Sequence, residues 1–406
     1  MAILEGIQIQ NFRALRNIEL GKTFDNKNSE LPRLVAVIGA NGSGKSSLMD
    51  ALGFIGDCLM EGVQVACDKP HRGGFERLRT QGSTGPIKFE IRYRQTSDSR
   101  PISYSLHIDC DKHGRALVVY ERLRQRRQGQ RSGWPHSFLQ IENGVGTVWA
   151  GEASSTTEGT RHDDIKMSDR QVLGIASLGT LADHPRISAF RAFLSGWYLS
   201  YFLPQLARTQ PMAGADSHLD RTGENLAKYL QFIAREHPAG FKSMLTRIAK
   251  KIPGIVRIEP AVAPDRRLLL AFHATGYEQP FYQQDMSDGT LKMLAYLLLM
   301  EDPEPAPLVG IEEPENGLHH QLLGDLAREF KEYARKFLGP QVIVTTHAPN
   351  FVDALTPEEV WILEKGPDGF SRLTRAADID GVRALFDEGI PMGSLWYSNH
   401  FGIGNP

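Results

Sequence analysis

Ile7 and Ile9 alternate with Gln8 and Gln10, the two-residue repeat of a half-buried strand that runs into Asn11, Phe12 and Arg13. Leu34 to Ile38 is continuously apolar between Pro32 and Gly39, the pattern of a central strand covered on both faces. A glycine-rich turn follows, and Leu48, Leu52, Ile55 and Leu59 then fall at helical spacing. Short alternating strands are predicted over Ile87–Tyr93, Ile102–Ile108 and Ala116–Leu123, forming an antiparallel layer. The polar, turn-rich stretches Gln125–Ser137 and Gly151–Asp164 predict loops.

Helical periods occupy Ser168–Leu206 and Glu224–Ile252, which predicts an inserted helical lobe. Strand and helix then alternate: an apolar strand over Leu308–Ile311, a helix marked by Leu318, Leu322, Leu326 and Phe330, and strands over Val342–Thr346 and Val360–Leu363. That alternation argues for a largely parallel sheet. No internal repeat or low-complexity tract interrupts the pattern.

Composition narrows the reading. With 406 residues and 41% hydrophobic content, the chain can bury one large core or two modest ones. Its 46 Lys and Arg against 48 Asp and Glu supply no chain-wide field for nucleic acid, so any such binding needs a local patch. Cys58, Cys67 and Cys110 are too few and too irregularly spaced for a disulfide framework or a zinc site. Reduced thiols and a cytoplasmic protein are expected. The first twelve residues lack a signal-peptide pattern, and no stretch is apolar enough to span a bilayer.

The clearest chemistry lies in the glycine-rich turn. Gly39-Ala40-Asn41-Gly42-Ser43-Gly44-Lys45-Ser46 satisfies the phosphate-loop pattern between a buried strand and an amphipathic helix, the context that pattern requires. The glycines let successive N–H groups face a phosphate at a helix N-terminus. Lys45 would reach the β and γ oxygens of ATP, and the Ser46 hydroxyl would take one position on Mg²⁺.

Glu312 and Glu313 close the Leu308–Ile311 strand, and strand alternation puts them on opposite faces, free for different work. One can help hold Mg²⁺ while the other orients an attacking water. A solvated acidic turn is the ordinary reading of such a pair, but Pro314-Glu315-Asn316-Gly317-Leu318 after it and Thr345-Thr346-His347 beyond favour the chemical one. His347 falls at the C-terminal end of its strand, the edge where open α/β sheets bind ligands. Ser287-Asp288-Gly289-Thr290 precedes an apolar helix over Leu291–Met300 and reads by itself as an N-cap.

Taken in order, these motifs resemble the ABC-type ATPase heads of the SMC, RecF and OLD families. More narrowly, they resemble stand-alone AAA-family ATPases of bacterial anti-phage defence operons. Asn11-Phe12-Arg13, the phosphate loop, Ser287-Asp288-Gly289-Thr290, Ile311-Glu312-Glu313-Pro314-Glu315, Asn316-Gly317-Leu318-His319 and Thr346-His347-Ala348-Pro349 carry the likeness. It implies an α/β, ABC-type P-loop nucleotide-binding fold with an added antiparallel β layer. Residues 1–165 and 256–406 would be the two halves of the head, and 166–255 the helical lobe.

The resemblance further implies Glu313 as catalytic base, with Lys45 and His347 beside it, His347 sensing the γ-phosphate, and Ser46 and Glu312 on the metal side. Ser287 and Gly289 would bind the nucleotide held by the opposite protomer, making ATP the glue of a homodimer. Asn11, Arg13 and Ser47 join the phosphate loop in the nucleotide-binding set. Asn316 to His319 would signal between the two sites, and Gln81 and Gln171 are both candidates for the glutamine loop. Too few residues follow His347 for the nuclease domain of OLD proteins, so nuclease chemistry is expected from another chain.

Partners are less defined. A protein effector from a neighbouring gene is implied by the likeness to defence ATPases. DNA is the alternative, gripped by Arg122, Arg124 and Arg126 with Arg127 and Arg131, although such runs are more often solvated faces or edge-strand protection. Leu395-Trp396-Tyr397 with Phe401 could dock an effector or fold against its own domain.

Overall fold

A computed structural model describes residues 2–127, 129–130, 134–149, 162–214, 216–336 and 339–402. The strands in chain order are β1 (Ile3–Phe12), β2 (Leu15–Gly21), β3 (Leu34–Ile38), β4 (Ile87–Arg94), β5 (Ile102–Cys110), β6 (Ala116–Gln125), β7 (His136–Glu142), β8 (Val145–Trp149), β9 (His162–Lys166), β10 (Tyr198–Ser200), β11 (Ile255–Val262), β12 (Leu268–Ala274), β13 (Phe281–Tyr282), β14 (Leu308–Glu312), β15 (Gln341–Thr346), β16 (Val360–Lys365) and β17 (Ser371–Arg375). They build an antiparallel sheet in the order β2-β1-β4-β5-β6-β7-β8-β9 and a second sheet in the order β10-β14-β15-β3-β16-β17. The second is parallel except for β17, and β11-β12-β13 form a small third sheet.

The helix Lys45–Glu61 lies between the two large sheets. Its Leu48, Leu52, Phe54 and Ile55 share a core with Val35 and Val37 from one face of β3 and with β1, β4 and β5. Phe54 meets Phe12 at 5.6 Å and Phe89 at 6.0 Å between ring centroids. Leu34, Ala36 and Ile38, from the other face of β3, enter a second core with the C-terminal helices. This two-sided burial is why the strand is apolar at every position.

Gln341, fully buried at the start of β15, links the sheets. Its Oε1 accepts from the Leu4 N–H at 3.0 Å, and its Nε2 donates to the carbonyls of Leu4 and Pro32, each at 3.0 Å. All of its amide contacts therefore stitch the first strand of one sheet to the segment feeding the other, with no polar group stranded inside.

The fold class is as expected; the structure extends or corrects three parts of the reading and decides a fourth. The antiparallel layer continues through β7, β8 and β9, and of the loop expected over 151–164 only 162–164 are described, inside β9. Second, 166–255 is not one lobe. Its first helices, Gly174–Leu178 and Pro185–Ser195, bury Ile175, Phe190 and Phe193 in the core of the antiparallel sheet. Leu226–Glu236 and Pro238–Lys250 bury Leu230, Ile233 and Ile248 in the other core, and β10 between the two pairs joins the parallel sheet beside β14.

Third, β6 lies between β5 and β7, so its arginines protect no edge. Arg124 is buried with its guanidinium 3.6 Å from the centroid of Phe24 and 3.3 Å from Glu90, while Arg122 donates to the Ser137 hydroxyl at 2.7 Å. Arg131 lies outside the described residues. Fourth, the C-terminal aromatic segment splits: Leu395, Trp396 and Phe401 are core residues, and only Tyr397 projects outward. The three cysteines are free thiols.

Candidate active site

The phosphate loop joins β3 to the helix Lys45–Glu61. Two of its glycines are dictated by neighbours. A side chain on Gly39 would run into the Leu363 carbonyl, and one on Gly44, at φ 113°, into the Ser371 hydroxyl. Ser371 in turn donates to the Ser43 carbonyl at 2.6 Å, so β17 braces the loop from behind.

Lys45, only 4% exposed, donates to the carbonyls of Gly39 at 2.7 Å and Ala40 at 3.2 Å, and its ammonium lies 3.6 Å from Oε1 of Glu313. A buried cation satisfied by carbonyls of its own loop is held ready to exchange them for phosphate oxygens. Ala40, Asn41 and Ser46 are exposed, and Gly42 has open space where a side chain would stand. Ser47 is half-buried on the first turn of the helix.

Glu312 ends β14. Glu313 follows with φ 43°, a left-handed backbone that glutamate rarely adopts, so the strand repeat stops there and the opposite-face expectation fails. Both carboxylates border one cavity of about 400 Å³, together with Ser46, Asn316, Gly317, Asp288 and Lys292. Their charges are nevertheless tuned apart. Burial raises the Glu312 carboxyl above its ordinary value and the Glu313 charge adds to this, against a hydrogen bond with Ser46 and the charge of Lys45. Burial pushes Glu313 upward too, but a hydrogen bond from Asn316 and the charges of Lys45 and His347 outweigh it, leaving this carboxyl below its ordinary value.

His347 follows β15, with Nδ1 3.5 Å from Glu313 and 3.0 Å from Glu315. Glu315 is a positioning residue whose role is not legible from its motif. Its buried Oε1 accepts from the His347 N–H at 2.6 Å and from the Thr346 hydroxyl at 2.8 Å, fixing the chain from which the imidazole projects. Lys292 on the cavity wall was also missed, because a polar residue in an otherwise apolar helix reads as its solvent face.

Asn11, near the end of β1, and Arg13, in the turn after it, take φ of 60° and 51°. Asn11 donates to the Pro86 carbonyl at 3.0 Å, and Arg13 pairs with Asp50 of the phosphate-loop helix at 3.0 Å. Ser287 caps the helix Asp288–Met300, accepting from the Thr290 N–H at 3.2 Å, and is exposed. Gly289 abuts the Gly317 carbonyl. The fold thus gathers Lys45, Ser46, Glu312, Glu313 and His347; Ser46, Glu312 and Glu313 line the cavity together with Asp288, whereas Lys45, His347, Ser287 and Gly289 do not. Gln81 is exposed after the turn that bonds Asn11, and the Gln171 carbonyl accepts from Val63 at 2.8 Å.

The donor set fits a magnesium nucleotide. Among the described residues, the Ser43 and Thr345 hydroxyls and Oε2 of Glu315 are buried without hydrogen-bond partners around the loop. Among the described residues no cluster of three or more His, Cys, Asp or Glu could hold a metal alone. One hydroxyl and one carboxylate, Ser46 and Glu312, suit Mg²⁺ shared with phosphates and water. No helix among the described residues is long and apolar enough to cross a membrane.

A family model described as an AAA domain, putative AbiEii toxin of a type IV toxin–antitoxin system, matches residues 34–353. Among solved structures, an Smc head bound to the C-winged helix domain of ScpA is similar at a TM-score of 0.53 and 14% identity, covering 91% of this chain and 96% of that one. An Smc head domain with an extended coiled coil, bound to the C-terminal domain of ScpA and derived from Pyrococcus furiosus, gives 0.54 and 14%, covering 92% and 96%. No curated protein matches the sequence. The architecture is that of an Smc-head P-loop ATPase.

Proposed function

This chain belongs to the AAA-domain family of putative AbiEii toxins, and from that premise we propose that it hydrolyses ATP slowly at a site completed only when two copies meet. Lys45 binds the β and γ oxygens, and the loop N–H groups hold the phosphates at the helix N-terminus. Glu313 orients the attacking water and accepts its proton, a task suited to a carboxylate kept ionised by its surroundings. His347 steadies that water or the γ-phosphate from the other side. Ser46 and Glu312 would hold Mg²⁺, which supplies charge neutralisation at the phosphates.

The observation that carries this reading is the convergence of Lys45 and His347 on one oxygen of Glu313, at 3.6 and 3.5 Å. The dimer proposal is supported by Ser287, which is exposed at the N-terminus of its helix and so accessible to a partner's nucleotide. Phosphate release by wild type and Glu313→Gln tests the enzymatic claim. Equal rates would reduce the protein to a nucleotide-gated scaffold.

We further infer a protein effector, in phage defence, whose grip follows the ATP-bound dimer. One similar Smc head is bound to a winged-helix domain of ScpA, which supports a protein partner for a head of this shape. The DNA-clamp alternative has lost its main support, since Arg124 is buried against Phe24 and Glu90. Copurification with the neighbouring gene product, with and without ATP and DNA, separates the two.

A further inference from the structure

β10 runs parallel beside β14, with Ser200 opposite Ile311, so the chain leaves β10 next to the strand end that carries Glu312. The four residues that follow, Tyr201, Phe202, Leu203 and Pro204, form one wall of the cavity bordered by Ser46, Glu312 and Glu313. They are firmly held. The Tyr201 and Leu203 N–H groups donate to the carbonyls of Arg221 and Thr222 at 2.8 and 2.9 Å, and a side chain on Gly223 would collide with the Phe202 ring. Phe202 also meets Tyr296, in the middle of the helix Asp288–Met300, at 6.3 Å between ring centroids.

The short helix Pro204–Ala207 then delivers Arg208 to the start of that same helix. Its Nη2 donates to the Met286 carbonyl at 2.9 Å and to the Asp288 carboxylate at 2.5 Å, so one guanidinium grips the residues on either side of Ser287. The next residue, Thr209, is tied in as well. Its carbonyl accepts from Nε2 of the fully buried Gln283 at 3.2 Å, and Oε1 of Gln283 accepts from the Leu270 N–H at 2.7 Å. Gln283 thus anchors the approach to the signature on β12, while Arg208 fixes the two flanks of Ser287. An exposed serine between unrestrained peptide groups would swing; a charge-assisted hold on both neighbours removes that freedom.

We propose that Arg208 is a positioning residue for the signature: it sets the direction of Ser287 and so acts on the site of the opposite protomer, although the segment that carries it walls the cavity of its own. The proposal rests on the trans action of Ser287. Tyr201–Arg208 is then a strut with one end beside Glu312 and the other at the contact offered to the second copy.

The test uses the full chain with Arg208→Met, which keeps most of the stem and removes the donors. The variant is expected to bind a fluorescent ATP analogue within about twofold of wild type, since its phosphate loop is untouched. Its turnover should fall about tenfold, through loss of the charge-assisted hold on the signature. Mixed in equal amounts with Lys45→Ala chains it should regain roughly a quarter of wild-type turnover, because half the dimers are hybrid and each joins one intact loop to one intact signature. Mixed with Ser287→Arg it should stay low, because every site then meets a damaged signature.

Recovery with Ser287→Arg in place of Lys45→Ala would put Arg208 to work in its own protomer's site and overturns the proposal. Recovery with neither, or turnover at the wild-type level, overturns it too. Were Arg208→Met to unfold, Arg208→Gln takes its place under the same criterion. Lys45→Ala mixed with Ser287→Arg is the control. If that mixture stays inactive, or if wild type is no faster than Glu313→Gln, the proposed function fails and this inference with it. If the control regains turnover beside the wrong pattern for Arg208→Met, only this inference fails.

Discussion

The Lys45 ammonium lies 3.6 Å from Oε1 of Glu313, although most of the chain separates the two residues. The ammonium and the carboxylate therefore neutralise each other. Under the proposed function, nucleotide entry would break that pair and so couple nucleotide binding to release of Glu313.

Lys45→Ala is expected to weaken ATP binding by about a hundredfold, the loss of a charge-assisted phosphate contact of roughly 3 kcal/mol. A titration with a fluorescent nucleotide reads this directly. Affinity within a few-fold of wild type would mean that the loop does not hold the phosphates.

Glu313 should titrate below the ordinary glutamate value of about 4.3, since Asn316, Lys45 and His347 together outweigh its burial. The sign follows from linkage. A carboxyl depressed in the folded state contributes stability above its unfolded pKa and loses that contribution as pH falls through the folded one. Carboxyl-detected NMR on wild type and Asn316→Ala should show the latter titrating higher.

Trans action of the signature has its own signature in mixing. Lys45→Ala and Ser287→Arg homodimers should both be inactive, while an equal mixture regains roughly a quarter of wild-type turnover, because half the dimers are hybrid and each has one whole site. A mixture as inactive as its components would place both residues in one protomer's site.

Glu121 is fully buried and accepts from the Tyr104 hydroxyl at 3.0 Å, the Ile175 N–H at 2.9 Å and the Gly174 N–H at 2.5 Å, capping the helix Gly174–Leu178 across the fold. Glu121→Ala strands three donors and should cost about 3 kcal/mol by denaturant unfolding. Burial raises its pKa, so the folded chain holds this proton more tightly than the unfolded one. Its ionisation therefore draws stability down as pH rises from the unfolded value through the folded one.

Arg124→Ala should destabilise the protein by about 1–3 kcal/mol through loss of its Phe24 and Glu90 contacts. At matched folded fraction, nucleic-acid retention should not change. A selective loss of DNA binding in a fully stable variant would restore the clamp reading.

The sequence announced those parts of the molecule whose local pattern and final environment agree. Leu34–Ile38 is apolar throughout because both its faces are covered, and the loop after it must be glycine-rich because Leu363 and Ser371 leave no room. Legibility failed where tertiary contacts decide. The three residues of β10 show no repeat that could distinguish them from helical neighbours. Arg122 and Arg124 look like a solvated face, yet the neighbouring strands enclose them. Glu312 and Glu313 obey strand alternation only until a positive φ turns the second back toward the same cavity. Glu315 has meaning only beside Thr346 and His347 at the end of the next strand, and Lys292 only beside the cavity it lines.

Gln341 sets how such a molecule can move. With its one amide latched to Leu4 and Pro32, the β layer cannot swivel over the parallel sheet without rupturing three interior bonds together. In the proposed dimer, closure around nucleotide would then be a docking of two stiff bodies, with the energy of each encounter going into the seam between copies instead of into bending either one.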